Sequence, residues 1–316
     1  MDLFSVLTPG AYTTVQDNGR YGYQQMGIPV SGALDSFAFG VANMLVGNLV
    51  TCPVLEITIM GPRLEVLCEA DVAITGAEIG FNLNERPIEC WRSFKVKSGD
   101  ILDIKQVKSG CRAYLAVTGG IDVPEVMGSR STYVGGKIGG YSGRPLKQGD
   151  MIKRGKGLLL NSSRRLSSTV IPQYSSSINM HAVSGPQDDF FNEGLKTLFE
   201  SEFMVTPKAD RMGYRLQGPL INHRDEVQKS IISEPSVPGG VQIPADGQPI
   251  VLMVEQTVGG YAKIATVIST DLCKIAQATP GDTIHFEQVT LETAHSLYRE
   301  RQRLMQEIGE LIADSS

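Results

Sequence analysis

Five short segments combine charged, hydroxyl and amide side chains in ways that could do chemistry. Asp17 and Arg20 flank an Asn18-Gly19 turn. The planar guanidinium of Arg20 could clamp a carboxylate or phosphate, or pair with Asp17 across the turn. Ser31 and Asp35 stand where a loop enters a helix, a place suited to anion binding or to plain capping. If buried, the Asp35 carboxyl has a raised pKa and could serve as a general base. Arg130-Ser131-Thr132 offers a guanidinium, two hydroxyls and backbone amides to phosphate oxygens. Gln242, Gln248 and Gln256 can read a lactam or urea by donating to its C=O and accepting from its N–H, or can satisfy backbone groups at turns. Lys263 either snorkels to solvent or enters a pocket, where an ammonium stabilises a developing oxyanion or phosphoryl group.

The elements that must hold these groups are mostly strands. Leu3–Leu7, Val54–Ile59, Leu64–Leu67, Val72–Thr75, Phe94–Val96, Ile101–Ile104 and Ala113–Val117 are short, apolar or β-branched, and bounded by turn residues. Ser98-Gly99-Asp100, Gln148-Gly149-Asp150 and Pro280-Gly281-Asp282 repeat one turn signal and read as hairpin turns, hinting at two related β units. Ala33–Leu45 and Gln187–Phe199 carry helical patterns, with Gly40 weakening the first. The clearest helix is the last, with Leu291, Ala294, Leu297, Tyr298, Met305, Ile308 and Ile312 on one stripe. Residues 161–177 are rich in Ser and read as an exposed connection between an N-terminal β-rich half (1–160) and a C-terminal half (178–316). The glycine-dense stretch Gly128–Gly149 contains Ser131–Arg144, which reads as a mobile loop beside the site.

The chain has 316 residues, 41% hydrophobic and 20% charged, with a net charge of −5. That balance argues against a general nucleic-acid binder, which needs a basic surface. The 34 glycines imply many tight turns and hence many strands. No apolar run approaches a membrane span, and the first residues lack the pattern of a signal peptide, so a cytoplasmic location is expected. The five cysteines are scattered, without C-x-x-C, and read as small hydrophobes. There is no P-loop, no dinucleotide fingerprint, no nucleophile elbow, and no pair among the four histidines at zinc spacing, so no metal site is expected.

Four longer segments carry a resemblance. They are Pro9–Arg20 continuing through Gly27–Asp35; Leu55–Thr58 with Gly61-Pro62; Tyr114–Ile121 with Met127–Thr132; and Gln242–Ile250 with Gln256–Ala265. In order and together, they resemble the allophanate hydrolase subunit 2, or biotin-dependent carboxyltransferase-like, family, from about Pro9 to Phe286. That family includes the C component of bacterial 5-oxoprolinase and an antagonist of a sporulation-kinase inhibitor. The resemblance implies a mainly β fold with two cyclophilin-like barrel units. It implies an ATP-dependent conversion of 5-oxoproline to glutamate, with Mg2+ as the nucleotide's counter-ion, shared with a smaller B-type subunit and an A-type subunit. Two alternatives stay open: carboxyl transfer to urea or a related amide, with biotin carried on another protein, and a non-enzymatic regulator. The family pattern favours the pocket reading of Lys263. The chain departs from that pattern at Glu255, where arginine is usual.

Overall fold

A computed structural model of the chain describes residues 1–314. The chain forms two compact units, one from Met1–Arg20, Ser31–Tyr174 and the residues from Arg303 on, the other from Tyr21–Val30 and Ser175–Gln302. The division therefore leaves a ten-residue excursion, 21–30, with the second unit and falls again inside the last helix. The fold is mainly β, as expected, with one closed barrel and one curled sheet.

The first unit is a nine-stranded sheet. Its strands are β1 (Asp2–Thr8), β2 (Tyr12–Gln16), β3 (Val54–Thr58), β4 (Arg63–Val66), β5 (Ala70–Leu83), β6 (Arg86–Pro87), β7 (Ser93–Val96), β8 (Ile101–Val117) and β9 (Met151–Lys153). The main path runs β2-β3-β8-β4-β1-β9, with β5 paired to β8 and carrying β6 and β7. Ile101–Ile104 and Ala113–Val117 are thus the two ends of one 17-residue strand. Its middle is more exposed and polar, which hides the continuity, yet it stays paired to β5 through register shifts between Gly76 and Phe81. The core includes Leu3, Phe4, Leu55, Ile57, Leu64 and Leu102, all fully buried.

Helix α1 spans Ser36–Leu45 and starts later than the periodicity predicts, because Asp35 is its N-cap and accepts the Ala38 N–H at 3.0 Å. Gly40 sits mid-helix because the Met305 methyl lies where a β-carbon would be, 2.7 Å away. The Ser-rich segment is a strap on the first unit as far as Tyr174, not a free linker. Ser163 Oγ donates to the Ser93 carbonyl at 2.5 Å, Leu166 N–H to Trp91 at 3.0 Å, and Ser109 Oγ to the Tyr174 carbonyl at 2.7 Å. Long-range bonds of this kind cannot be read from composition.

The second unit is a closed seven-stranded barrel. Its strands are β10 (Ser177–Ser184), β11 (Glu202–Ala209), β12 (Gly213–Gln217), β14 (Gly240–Ile243), β15 (Ile250–Leu252), β17 (Ala262–Val267) and β18 (Thr283–Gln288). They run β10-β17-β14-β15-β12-β11-β18, and β18 closes onto β10 in parallel. Two further strands, β13 (Glu234–Pro235) and β16 (Val258–Gly259), pair with each other as a separate ribbon. The helical pattern over Gln187–Phe199 breaks into a 3-10 turn, Asp188–Phe190, and α2 (Gly194–Glu200). Between them Glu193 has φ 44°, and the Phe191 ring packs on His223 with centroids 4.7 Å apart. A short α3 (Leu272–Ala276) follows β17. The last helix, α4, spans Leu291–Asp314. Ile308 and Ile312 are buried as the stripe predicts, but Leu291 and Tyr298 are half exposed.

The three Gly-Asp turns are not hairpins. Each precedes β8, β9 or β18, and none joins two strands that pair with one another among the described residues. None of the five cysteines is joined in a disulfide among the described residues. Among the described residues no helix is long and apolar enough to cross a membrane.

Candidate functional site

The residues predicted to do chemistry fall into two groups, one in each unit. In the first unit Asp17 is a hub. Its carboxylate accepts Ser129 Oγ at 2.7 Å, Arg130 N–H at 2.6 Å and Gly19 N–H at 2.9 Å, and also the Ser131 hydroxyl. Arg20 is fully buried. It donates Nε to the Val126 carbonyl at 3.0 Å and Nη2 to the Ser131 carbonyl at 2.9 Å, while Nη1 has no partner among the described residues. It forms no salt bridge with Asp17; burial lowers its pKa, with the Asp17 charge pulling the other way. Thr132 gives its hydroxyl to the Val15 carbonyl at 2.9 Å. The Arg130 side chain turns outward, with Nε on the Val123 carbonyl at 3.1 Å and Nη2 3.6 Å from Glu125.

Ser131–Arg144 is folded against β2 rather than hanging from it. Thr132 N–H bonds Val15, Tyr133 and Ile138 bond each other in both directions, and Leu146 N–H bonds Thr13. Gly139, at φ 64°, allows Ser131 and Arg20 to lie where a side chain would stand.

Ser31 is buried at φ 55°, and its Oγ has no partner among the described residues. Asp35 is buried too: Oδ1 caps α1, Oδ2 accepts the Tyr174 hydroxyl at 3.2 Å, and its N–H donates to the Tyr114 hydroxyl oxygen at 2.8 Å. Burial pushes the Tyr114 phenol well above its usual pKa, helped by Glu56 and Asp35. In this unit, then, most of the candidate groups are engaged in holding a loop and a helix start.

In the second unit the barrel register lines up a row across four strands. Arg215 on β12 faces Ile250 on β15; Ile250 faces Gln242 on β14; Gln242 faces Lys263 on β17. Three strand spacings separate the Arg215 and Lys263 backbones, roughly 14 Å measured along the sheet. A pocket of about 430 Å³ covers the Arg215–Gln242 part of this row, with Lys208, Gln256 and Tyr261 on its walls. Gln242 is buried and its Nε2 has no partner among the described residues. Gln256 is more exposed and gives its amide to the Val258 carbonyl at 2.6 Å. Gln248 stands apart. It both accepts from and donates to the Gly218 backbone, at 2.8 and 3.0 Å.

Lys263 is buried, and its ammonium meets Glu234 on the ribbon. Gln187 joins them: its Nε2 donates to Glu234 at 3.0 Å, and its Oε1 accepts the Lys263 N–H at 3.0 Å. The Lys263 hydrogen bond holds the Glu234 carboxyl below its usual pKa, against an opposing burial effect. Glu255 is buried and pairs with the buried Arg211 guanidinium at 2.5 Å, so its charge is met within the barrel.

Glu234, Gln187, Ser236 and Arg215 carry no site signal in the sequence. Arg215 lies in a plain alternating strand, and only register across the barrel joins it to Lys263. Among the described residues no three His, Cys, Asp or Glu side chains are grouped to hold a metal ion.

The family whose description is carboxyltransferase domain, subdomain A and B, matches residues 26–288, most of the chain. The chain belongs to the carboxyltransferase domain family. The C component of 5-oxoprolinase from Escherichia coli K12 is 38% identical over 97% of this chain and 98% of that protein. Its Haemophilus influenzae counterpart is 31% identical over 99% of this chain and all of that protein. The crystal structure of the Kluyveromyces lactis urea amidolyase superposes with a TM-score of 0.91 at 34% identity, covering 97% of this chain but 20% of that one. These carboxyltransferase-domain relatives are components of enzymes, and the bacterial ones, named as subunits, are parts of a larger assembly.

Proposed function

We propose that the chain is the C component of a cytoplasmic, ATP-dependent 5-oxoprolinase, working with a smaller B-type subunit and an A-type subunit. The observation that carries the reading is similarity to two bacterial C components along 98% and 100% of their length. The barrel face suits the chemistry. Gln242 offers a neutral amide to the lactam, and Lys263 supplies the buried positive charge. Lys208 and Arg215, on the pocket wall, would face the phosphates of ATP, whose Mg2+ would arrive as its counter-ion. Phosphoryl transfer to the lactam oxygen would release ADP and leave a ring carbon that water can attack, opening the ring to glutamate and freeing phosphate.

The test is phosphate release and glutamate formation by the co-expressed subunits, with and without 5-oxoproline. Substrate-dependent release of both supports the reading; ATP cleavage without glutamate overturns it. The alternative, biotin-dependent carboxyl transfer to urea, is favoured by the close superposition on the K. lactis urea amidolyase. It predicts carboxylation of urea when carboxybiotin is supplied.

A further inference from the structure

The Lys263 ammonium already holds a carboxylate, one that belongs to the protein. The cation is built into the barrel wall and its side chain is 7% exposed, whereas that of its partner Glu234 is 38% exposed. Lys263 and the Gln187 amide converge on one Glu234 oxygen, Oε1. Gln187 is fixed in turn by the Lys263 backbone N–H. This two-donor clasp belongs to the barrel and its adjoining turn, and any carboxylate of similar reach would satisfy it.

Glu234 comes from the ribbon. β13 and β16 are two residues each and pair only with one another. Such a ribbon has little cooperative stability of its own. It lies directly on Gln242, because a β-carbon at Gly259 would run into the Gln242 amide and stand 3.2 Å from Ser236 Oγ. Gln242 Nε2 and Ser236 Oγ are both buried without a partner among the described residues. Buried polar atoms left unpaired are a standing cost that a ligand can relieve. Lifting the ribbon would uncover the Gln242 amide and the Lys263 ammonium together.

We propose that Lys263 with Gln187 is the binding point for the carboxylate of a small substrate, and that Glu234 occupies it as an internal stand-in until that carboxylate displaces it. This rests on the proposed 5-oxoprolinase reading for the identity of the substrate, an amide ring bearing one carboxylate. Gln242, the next residue in the row, would then face the ring amide.

The experiment is calorimetric titration of the full chain with 5-oxoproline, acetate and the neutral lactam pyrrolidinone. Glu234→Gln removes the competing charge and is expected to tighten 5-oxoproline binding by about 2- to 5-fold, with pyrrolidinone unchanged, as loss of one competing ion pair would give. Lys263→Met is expected to abolish the difference between 5-oxoproline and pyrrolidinone. Glu234→Asp, shorter but still charged, keeps the test valid if Glu234→Gln melts early; it should tighten binding less. Unchanged or weaker 5-oxoproline binding in both Glu234 variants overturns the inference, even if the assembled enzyme turns over 5-oxoproline. If Glu234→Gln tightens acetate and 5-oxoproline equally, the carboxylate point stands and the lactam reading loses its support.

Discussion

Val205 and Asp282 clasp each other through the main chain: the Val205 N–H donates to the Asp282 carbonyl at 2.8 Å. The Gly281 N–H returns a bond to the Val205 carbonyl at 2.9 Å. The same clasp joins Val66 to Gly99-Asp100 and Val6 to Gly149-Asp150 in the first unit. In all three the Asp carboxylate accepts the N–H three residues earlier, from Lys97, Lys147 and Thr279, at 2.7–2.9 Å. The repeated Gly-Asp signal is thus a repeated docking device: the turn docks on a remote strand and launches the next one. At Asp150, burial alone would raise the carboxyl; the two-pronged Arg144 contact outweighs it and holds the pKa below the usual value.

Gly281→Ala tests the turn's conformation apart from its packing. Its φ is 98°, and a β-carbon there meets nothing within 4 Å. The expected loss is about 1–2 kcal/mol, from backbone strain alone. Asp282→Ala, which orphans the Thr279 N–H, should cost a similar amount. Urea unfolding of the two variants checks both figures.

Gly139→Ala should cost more than Gly128→Ala. Both glycines have positive φ, but open space surrounds Gly128, whereas a methyl at Gly139 would strike the Ser131 carbonyl and stand 2.6 Å from Arg20 Nη2. About 1 kcal/mol is expected at Gly128 and about 3 kcal/mol at Gly139. Equal midpoints in denaturant would show that the Arg20 clamp yields freely.

Lys263→Ala is expected to fold normally and to lower kcat/KM for 5-oxoproline by about 100-fold or more in the assembled enzyme. The Glu234 it abandons can turn to water, so no buried charge is stranded. Circular dichroism and steady-state kinetics separate the two effects; an unchanged rate would make Lys263 a structural residue.

Two glutamines should behave oppositely. Gln248→Ala removes both bonds to Gly218 and should lower stability by about 1–2 kcal/mol with KM little changed. Gln242→Ala deletes an amide with an unpartnered nitrogen, so it should raise KM for the lactam with a smaller effect on stability. Melting and kinetics on the pair would reveal a reversal.

His223 sets an acid limit for the second unit. Burial lowers its pKa, and the Lys229 charge adds to the effect. The folded state therefore favours neutral imidazole. Its contribution is fully present above the unfolded value of about 6.5 and is lost as pH falls from there toward the lower folded value. Stability should decline as the pH falls below about 6.5, and His223→Phe, which keeps a ring against Phe191, should flatten that decline. Thermal melts across that range decide it.

The mainly β character, six strands of the first unit (β1, β3, β4, β5, β7 and β8), α1 and the terminal helix are legible in the residues alone. Alternation and capping are local, and they survive in any fold that buries one face. The four long motifs make the family legible too. Closure is different: one unit is a barrel and the other a curled sheet because β18 reaches β10 across a hundred residues of chain. Folding also selects which candidate side chains share a surface. Arg20 and Ser131 meet because Asp17 gathers residues 114 positions away, and Arg215, Gln242 and Lys263 align through interstrand register. Glu234 lies in a stretch with no periodicity, and its pairing with Lys263 follows from a ribbon laid over the barrel wall. Such relationships rest on hydrogen bonds between distant segments, whose cost and gain are settled only when the whole chain is folded.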